Sequence, residues 1–282
     1  MALIDRLIWV EEKLPPSWRK TAWNSPLRPA VRRLVDLVSR KQLTIVRLAQ
    51  PLDGHRMRVN WQMQASYAFG TYEPEVVQAV QRVVDPGCVA VDIGANIGYF
   101  TLLLAKLVGP RGRVTAFEPL PENFQVLQEN IRLNGYQNVT LEPRAAMDKP
   151  GSVRLYRERE HLLTGTASTV HGQGSGLEVP ATSLDVYLRA TGERVDFVKI
   201  DVEGAEGAVL AGMRRILAED RPIVLVELHD DPSENHPALS TLRTSGYRIQ
   251  YLDRPSKLPL AHVLAEPTNP RRATRGACGS PS

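Results

Sequence analysis

Cysteine is scarce: Cys88 and Cys278 are the only two in 282 residues. Neither belongs to a metal-type cysteine spacing, and nothing in the pattern supports a bridge, so two free thiols are expected. Long apolar runs are missing as well. No stretch approaches the ~20 residues that a membrane-spanning helix needs. Near the N-terminus, Asp5 and Arg6 interrupt Leu3, Ile4, Leu7 and Ile8, which denies that segment the apolar core of a secretion signal. A cytoplasmic protein is the expectation. No internal repeat is visible. Acids are sparse at both ends. Residues 1–60 hold twelve Lys/Arg against five Asp/Glu, and residues 270–282 hold three Arg and no acid. The net charge of +4 therefore belongs to the ends, and the stretch between them is mildly acidic. That argues against a nucleic-acid groove on the core. A basic arm that touches a membrane surface or an acidic partner stays open, beside a plain solvated helical arm.

What is present reads as a globular core with additions. A hydrophobic content of 43% and a charged content of 23% suit a well-buried interior. Residues 1–60 form a basic arm, with helical pieces broken by Pro15-Pro16, Pro26 and Pro29, leading into a hairpin at 51–70 around Asp53-Gly54. Residues 61–268 form the main domain. Residues 269–282, rich in Arg, Pro and Gly, are expected to be a disordered tail.

From residue 75 the chain alternates. Helix 75–84 stops at Asp85-Pro86-Gly87. Strand 89–93, helix 97–108, strand 113–118, helix 121–134 and strand 139–142 follow. A looser region runs to about residue 180 and includes a Gly/Ser/Thr-rich loop at 164–176 that is expected to be mobile. Helix 183–190, strand 195–201, helix 204–218, strand 222–228 and helix 235–245 come next. Strands near 247–252 and 260–265 close the domain. Apolar strands alternating with helices predict a parallel α/β sheet covered on both faces. Ligands of such sheets bind beyond the carboxyl ends of the strands, where strand order reverses.

The densest segment is "VAVDIGANIGYF", residues 89–100. A buried strand runs into Gly94-Ala95-Asn96-Ile97-Gly98. Glycines allow a ligand close to the backbone, and the following helix start offers N–H groups to an anion. The spacing departs from the dinucleotide pattern Gly-x-Gly-x-x-Gly. It is similar to the Asp-x-Gly-x-x-x-Gly loop, here Asp92 to Gly98, of S-adenosylmethionine (SAM) methyltransferases. Glu118, ending the next strand, is placed to accept hydrogen bonds from two ribose hydroxyls. Ala145, Ala146 and Met147 suit the flank of an adenine ring, with Asp148 a candidate acceptor for its amino group.

A second segment, "VDFVKIDVEGAE", places Lys199 and Asp201 two apart on a strand, followed by Glu203 and Glu206. Residues i and i+2 share a face. A buried strand does not hold such charges without partners, so they are expected to line the pocket at the carboxyl edge. Glu206 suits the start of the next helix, where a capping role is favoured. Glu227 and His229 end the following strand, and His229 is read as either a structural or a catalytic histidine.

Together, "VAVDIGANIGYFTLLLA", "AFEPLPENFQVLQENIRLNG", "TSLDVYL", "VDFVKIDVEGAEGAVLAGM" and "PIVLVELH" resemble the FkbM family of SAM-dependent methyltransferases, as does "GTYEPEV" upstream. The resemblance covers roughly residues 65–230. It implies a Rossmann-like class I methyltransferase fold, with a mostly parallel seven-stranded sheet and helices on both faces. It implies methyl transfer, usually to a hydroxyl oxygen on natural products or sugars. Asp92, Gly94, Asn96 and Gly98 would then surround the methionine part of SAM, Glu118 would bind the ribose, and Glu73 would approach the cofactor from the other side. Asp201 and Glu203 would face the reacting centre.

Methyl transfer to a hydroxyl calls for a base. His229 is the first candidate, for its ordinary pKa near ~6.5, and Asp201 is the second. Lys199 would pair with an acid or stabilise an oxyanion. A divalent cation on Asp201, Glu203 and Glu227 is a further possibility. The expected partner is a small hydroxylated molecule. Two other readings are weighed. A non-catalytic SAM-binding scaffold has no need of the acidic wall at 199–206, and a nicotinamide dehydrogenase conflicts with the loop spacing.

Overall fold

The computed structural model describes residues 43–157, 167–168, 176–229, 235–253 and 260–270. The helical pieces expected before residue 43, most of the Gly/Ser/Thr-rich loop and nearly all of the tail lie outside these residues.

The main sheet has seven strands in the order β12-β13-β11-β10-β3-β4-β5. These are β3 (Val89–Ile93), β4 (Arg113–Phe117), β5 (Val139–Glu142), β10 (Phe197–Ile200), β11 (Ile223–His229), β12 (Tyr247–Tyr251) and β13 (Leu260–Pro267). The run β11-β10-β3-β4-β5 is parallel, while β13 lies antiparallel to both β11 and β12. The chain builds outward from β3 through β4 to β5, then returns to add β10 on the other flank of β3. The order therefore reverses between β3 and β10, which opens a crevice above their carboxyl ends.

Helices cover both faces, as the apolar strands require. They are α1 (Trp61–Phe69), α2 (Pro74–Val83), α3 (Tyr99–Val108), α4 (Pro121–Leu133), α5 (Leu184–Thr191), α6 (Glu206–Ala211) and α7 (Pro237–Thr244). Strand alternation sorts the core. Ala90 of β3, Phe197 of β10, Leu225 of β11 and Leu264 of β13 pack on the face with α2 and α3. Val91, Val198, Val224 and Val263 pack on the opposite face with α5, α6 and α7. Within α3, Leu102, Leu103 and Leu104 are all fully buried; burial of such a side chain is worth ~1.5–3 kcal/mol. Cys88 is buried and is not in a disulfide.

Three expectations need correction. The hairpin lies earlier than 51–70: β1 (Thr44–Arg47) pairs with β2 (Arg56–Val59) around the Asp53-Gly54 turn. Residues 61–69 are helical instead, and the Gln64 side chain reaches back to accept the Asn60 N–H at 2.8 Å. The looser region holds a second small sheet, β6-β9-β7-β8. Its strands are β6 (Ala145–Ala146), β7 (Gly151–Arg157), β8 (Ala167–Ser168) and β9 (Leu177–Thr182). The helix expected over 204–218 stops at Ala211 and resumes as a π-helical turn at Ile216–Asp220. The interruption falls where the chain crosses β6: a Cβ on Gly212 would sit 2.1 Å from the Met147 carbonyl oxygen.

Candidate active site

One cavity, of about 270 Å³, opens at the reversal point. The loop after β3 forms part of its wall. Gly94 has φ 80, Asn96 φ 50 and Gly98 φ 97, so the chain turns sharply through left-handed positions before α3 begins. The reason for each glycine differs from the one the sequence suggested. A Cβ on Gly94 would lie 1.7 Å from the Asp201 carbonyl oxygen, because the ends of β3 and β10 meet there. A Cβ on Gly98 would lie 2.6 Å from Leu127 Cδ1. The N–H groups of residues 94–98 are also occupied within the protein. Gly94 and Ala95 donate to the Phe117 carbonyl, and Gly98 to that of Ala95. Asn96 donates to Glu118, and Ile97 to Asn96 Oδ1. These five groups are therefore not a free anion seat.

Glu118 is buried at the cavity wall. Its Oε2 accepts the Asn96 N–H at 2.8 Å and its Oε1 accepts the Leu120 N–H at 2.9 Å. Burial pushes its carboxyl up to about 7, with Leu120, Asn96 and Asn123 as donors opposing that rise. A carboxylate has about four acceptor sites, so Glu118 has acceptor capacity beyond the Asn96 and Leu120 N–H groups that fix the loop.

The charged wall follows from register. Lys199 pairs with Asp92 across β10 and β3, and Glu227 pairs with His262 across β11 and β13. These four positions share the sheet face that carries Ala90, Phe197 and Leu225. Lys199 is only 4% exposed; its Nζ lies 2.9 Å from Asp201 Oδ2 and 4.7 Å from the centre of the Phe100 ring. Burial works to lower the ammonium, but Asp201, Asp92, Glu73 and Glu227 together raise it above its ordinary value. Burial equally works to raise Asp201, yet Lys199 holds it below the usual carboxylate range. Asp92 accepts the Thr101 hydroxyl at 2.6 Å and is pushed up by complete burial.

His229, read from the sequence as either a structural histidine or the first-choice base, is ringed by acids. Its Nδ1 is 2.8 Å from Glu206 Oε1, and its Nε2 is 3.3 Å from Glu203 Oε2 and 3.7 Å from Glu227 Oε1. Burial acts to lower its pKa, but these acids prevail and raise it to about 9. At neutral pH these acids favour the imidazolium, the form with no lone pair for a substrate proton. Glu206, fully buried, is its counter-ion and also accepts the Gly204 N–H, rather than acting only as a helix-end charge. A second histidine escaped the sequence reading. His262 Nδ1 sits 2.6 Å from Asp253 Oδ2, and its Nε2 stands 3.6 Å from both Glu73 Oε2 and Glu227 Oε2. Burial works to lower it; Glu227 and Asp253 raise it to about 9.

Asp92, Gly94, Asn96, Glu118, Ala146, Lys199, Asp201, Glu203 and Glu227 all line the cavity, as does Met147. Gly98, Glu73, His229 and Asp148 are not among its lining residues. Asp148 is exposed, beyond the strand end that carries Ala145 and Ala146. Glu73, left-handed at φ 40, sits near Glu227 and His262; burial and Glu227 raise its carboxyl to about 7. The trio Asp201, Glu203 and Glu227 is not the set that converges. Ligand-type atoms gather instead as Asp201, Glu227 and His229, and as Glu73, Glu227 and His262, each within 4.8 Å. Tyr67, Tyr72, Tyr99 and Phe100 form an aromatic cluster on the cavity that the sequence did not announce. Tyr67, Tyr99 and Phe100 also belong to the buried core, with Tyr72 packed against it, so their sequence spacing is that of ordinary core positions.

A sheet that reverses beside a glycine loop, with an acid ending the neighbouring strand and an antiparallel strand beside β11, is the arrangement of the class I SAM-dependent methyltransferase fold. The chain belongs to the FkbM methyltransferase domain family, whose model matches residues 92–249. It is 28% identical over 193 residues to methyltransferase 1 of Beauveria bassiana, covering 60% of this chain and 75% of that protein. It is also 28% identical over 193 residues to the 31-O-demethyl-FK506 methyltransferase FkbM of Streptomyces tacrolimicus, covering 58% and 74%. Among solved structures, methyltransferase FkbM from Methylobacillus flagellatus shares 20% identity at a TM-score of 0.45, over 87% of this chain and 61% of that one. Aeropyrum pernix fibrillarin with bound SAM shares 18% at 0.47, over 79% and 82%. No helix among the described residues is long and apolar enough to cross a membrane.

Proposed function

We propose that this chain transfers the methyl group of SAM to a hydroxyl oxygen on a small molecule. One observation carries the reading: a single cavity is lined both by the glycine loop with Glu118 and by Asp92, Lys199, Asp201 and Glu227. A relative named for acting on 31-O-demethyl-FK506 supports an oxygen acceptor. The small residues Gly94, Ala95, Ala145 and Ala146 leave room at the wall for a flat ring and its sugar, and the buried Glu118 carboxylate is the acceptor for ribose hydroxyls.

When bound, SAM supplies an electrophilic methyl group on a sulfonium. The chain's own residues then have two tasks. They hold the acceptor oxygen at near-attack distance, which is worth several kcal/mol, and they remove its proton. A positioned base contributes about two to four powers of ten. With His229 held as an imidazolium, we assign that role to Asp201. It lines the cavity, and Lys199 at 2.9 Å keeps it ionised and oriented. Lys199 also offsets the charge of Asp92 on the paired strand. His229 acts through Glu203 and Glu227 as a positioning residue.

The test uses the full chain with SAM labelled in its methyl group and a panel of hydroxylated small molecules, followed by mass analysis. The reading expects a product heavier by one methylene, labelled on oxygen. Label found only on nitrogen, carbon or a macromolecule would overturn the small-molecule O-methylation reading.

A further inference from the structure

Beside the cavity, three donor atoms lie close together. They are His262 Nε2, Glu73 Oε2 and Glu227 Oε2. The nitrogen stands 3.6 Å from each oxygen, and all three lie within 4.8 Å of one another. A hydrogen bond needs about 2.7–3.2 Å between such atoms, so neither pair makes one. His262 is 8% exposed, and its Nε2 and the Glu73 Oε2 have no hydrogen-bond partner. Buried polar atoms are ordinarily satisfied.

We propose that Glu73, Glu227 and His262 bind a divalent transition-metal cation of the zinc or manganese class. The spacing suits it. Donors on one ion at ~2.1 Å, separated by a tetrahedral angle, stand ~3.4 Å apart. The support of the histidine suits it too. Asp253 Oδ2 engages Nδ1 at 2.6 Å and also anchors the strand, since Asp253 Oδ1 accepts the His262 N–H at 2.9 Å. A carboxylate on one ring nitrogen presents the other as a ligand. Charge suits it as well. Asp92, Asp201, Glu73 and Glu227 gather around Lys199, four acids against the Lys199 ammonium and the His229 imidazolium. One imidazole with two carboxylates favours zinc or manganese over calcium, which takes an all-oxygen shell.

In the competing group, Asp201, Glu227 and His229, the histidine Nε2 already has the Glu203 carboxylate at 3.3 Å, whereas the carboxylates nearest His262 Nε2 stand at 3.6 Å. For His262 the competing occupant is a proton on Nε2, which would leave an N–H 3.6 Å from each acceptor. Glu227 also lines the cavity, so the ion would adjoin the acceptor site.

The experiment strips the full-length chain with a chelator, dialyses it against zinc or manganese, and measures bound metal and affinity by elemental analysis and calorimetry. Circular dichroism of each metal-free variant checks that it is folded. The expectation is one ion per chain in the wild type and in His229→Gln. Affinity should fall more than a hundredfold in His262→Gln and Glu73→Gln, and ten- to a hundredfold in Asp253→Asn. Asp253→Asn serves as the readout if a ligand variant does not fold. Absence of stoichiometric metal in the wild type overturns the site. Undiminished binding in His262→Gln does so too, as does loss in His229→Gln with retention in His262→Gln. The readout is metal, not methyl transfer, so this inference and the proposed function can fail separately.

Discussion

The Glu118 carboxylate accepts the backbone N–H of Asn96, 22 residues away, at 2.8 Å. The acid at the end of β4 and the loop after β3 are thus one unit, and a change in either is felt by both. Burial raises Glu118 to about 7, above the ordinary glutamate value. Ribose hydroxyls donate best to the ionised form. SAM affinity should therefore rise as pH climbs from about 6 to 8, by up to about tenfold per unit, with proton release on binding. The folded chain alone shows the opposite sign. It holds the Glu118 proton more tightly than the unfolded chain, so this group's contribution to stability is full below the unfolded pKa and is lost as pH rises through 7. Calorimetry across this range checks the binding slope. Glu118→Gln should flatten it, and a wild-type affinity independent of pH would contradict the assignment.

Gly94→Ala and Gly98→Ala should differ. The first would place a Cβ 1.7 Å from a backbone oxygen, the second 2.6 Å from the movable end of Leu127. Backbone at a strand junction cannot yield, whereas a leucine can rotate. Urea titration should show Gly94→Ala losing on the order of 4 kcal/mol and Gly98→Ala about 1–2 kcal/mol, from its left-handed φ and the repacking. Equal losses would mean that β3 and β10 are not joined as described.

His229 and Glu206 form a buried pair, the acid being fully enclosed. Removing the cation strands that acid, so His229→Ala should cost about 3 kcal/mol, and adding Glu206→Gln should recover most of it. The folded pKa of about 9 lies above the ordinary 6.5. The stability from His229 is therefore fully present below pH 6.5 and fades as pH rises through 9. The gap between wild type and variant in thermal melts should narrow over that window. A gap that widens with pH would reverse the charge assignment.

Asp201→Asn keeps the shape of the side chain but removes the proposed base. Turnover should fall by about 10²–10³ while SAM affinity stays within a few-fold. Full activity would return the proton to simple proximity or to Glu227. Single-turnover assays with a methyl acceptor separate the two effects.

Much of this was legible in the chain because it rests on local pattern. The parallel strands were visible as apolar runs, the loop as Asp92-x-Gly94 to Gly98, and the wall as the two-residue spacing of Lys199 and Asp201. What escaped depends on contacts across the fold. His262 lies 35 positions beyond its β-ladder partner Glu227, and no periodicity marks that pairing. Asp148 looked well placed because a strand was expected to end near it, but the chain turns outward after Ala146. His229 looked like a neutral base because one sequence cannot show that three carboxylates surround its ring. The break after Ala211 falls at Gly212, and the close approach of the Met147 carbonyl that requires a glycine there is a contact across the fold that the sequence does not show.

The most direct test is the equilibrium binding of SAM to the wild type and to Glu118→Ala, measured by calorimetry at pH 8. The account predicts saturable one-to-one binding in the wild type and at least about tenfold weaker binding in the variant. A wild-type chain that takes up no SAM at millimolar concentration, or a variant that binds it as tightly, would contradict it.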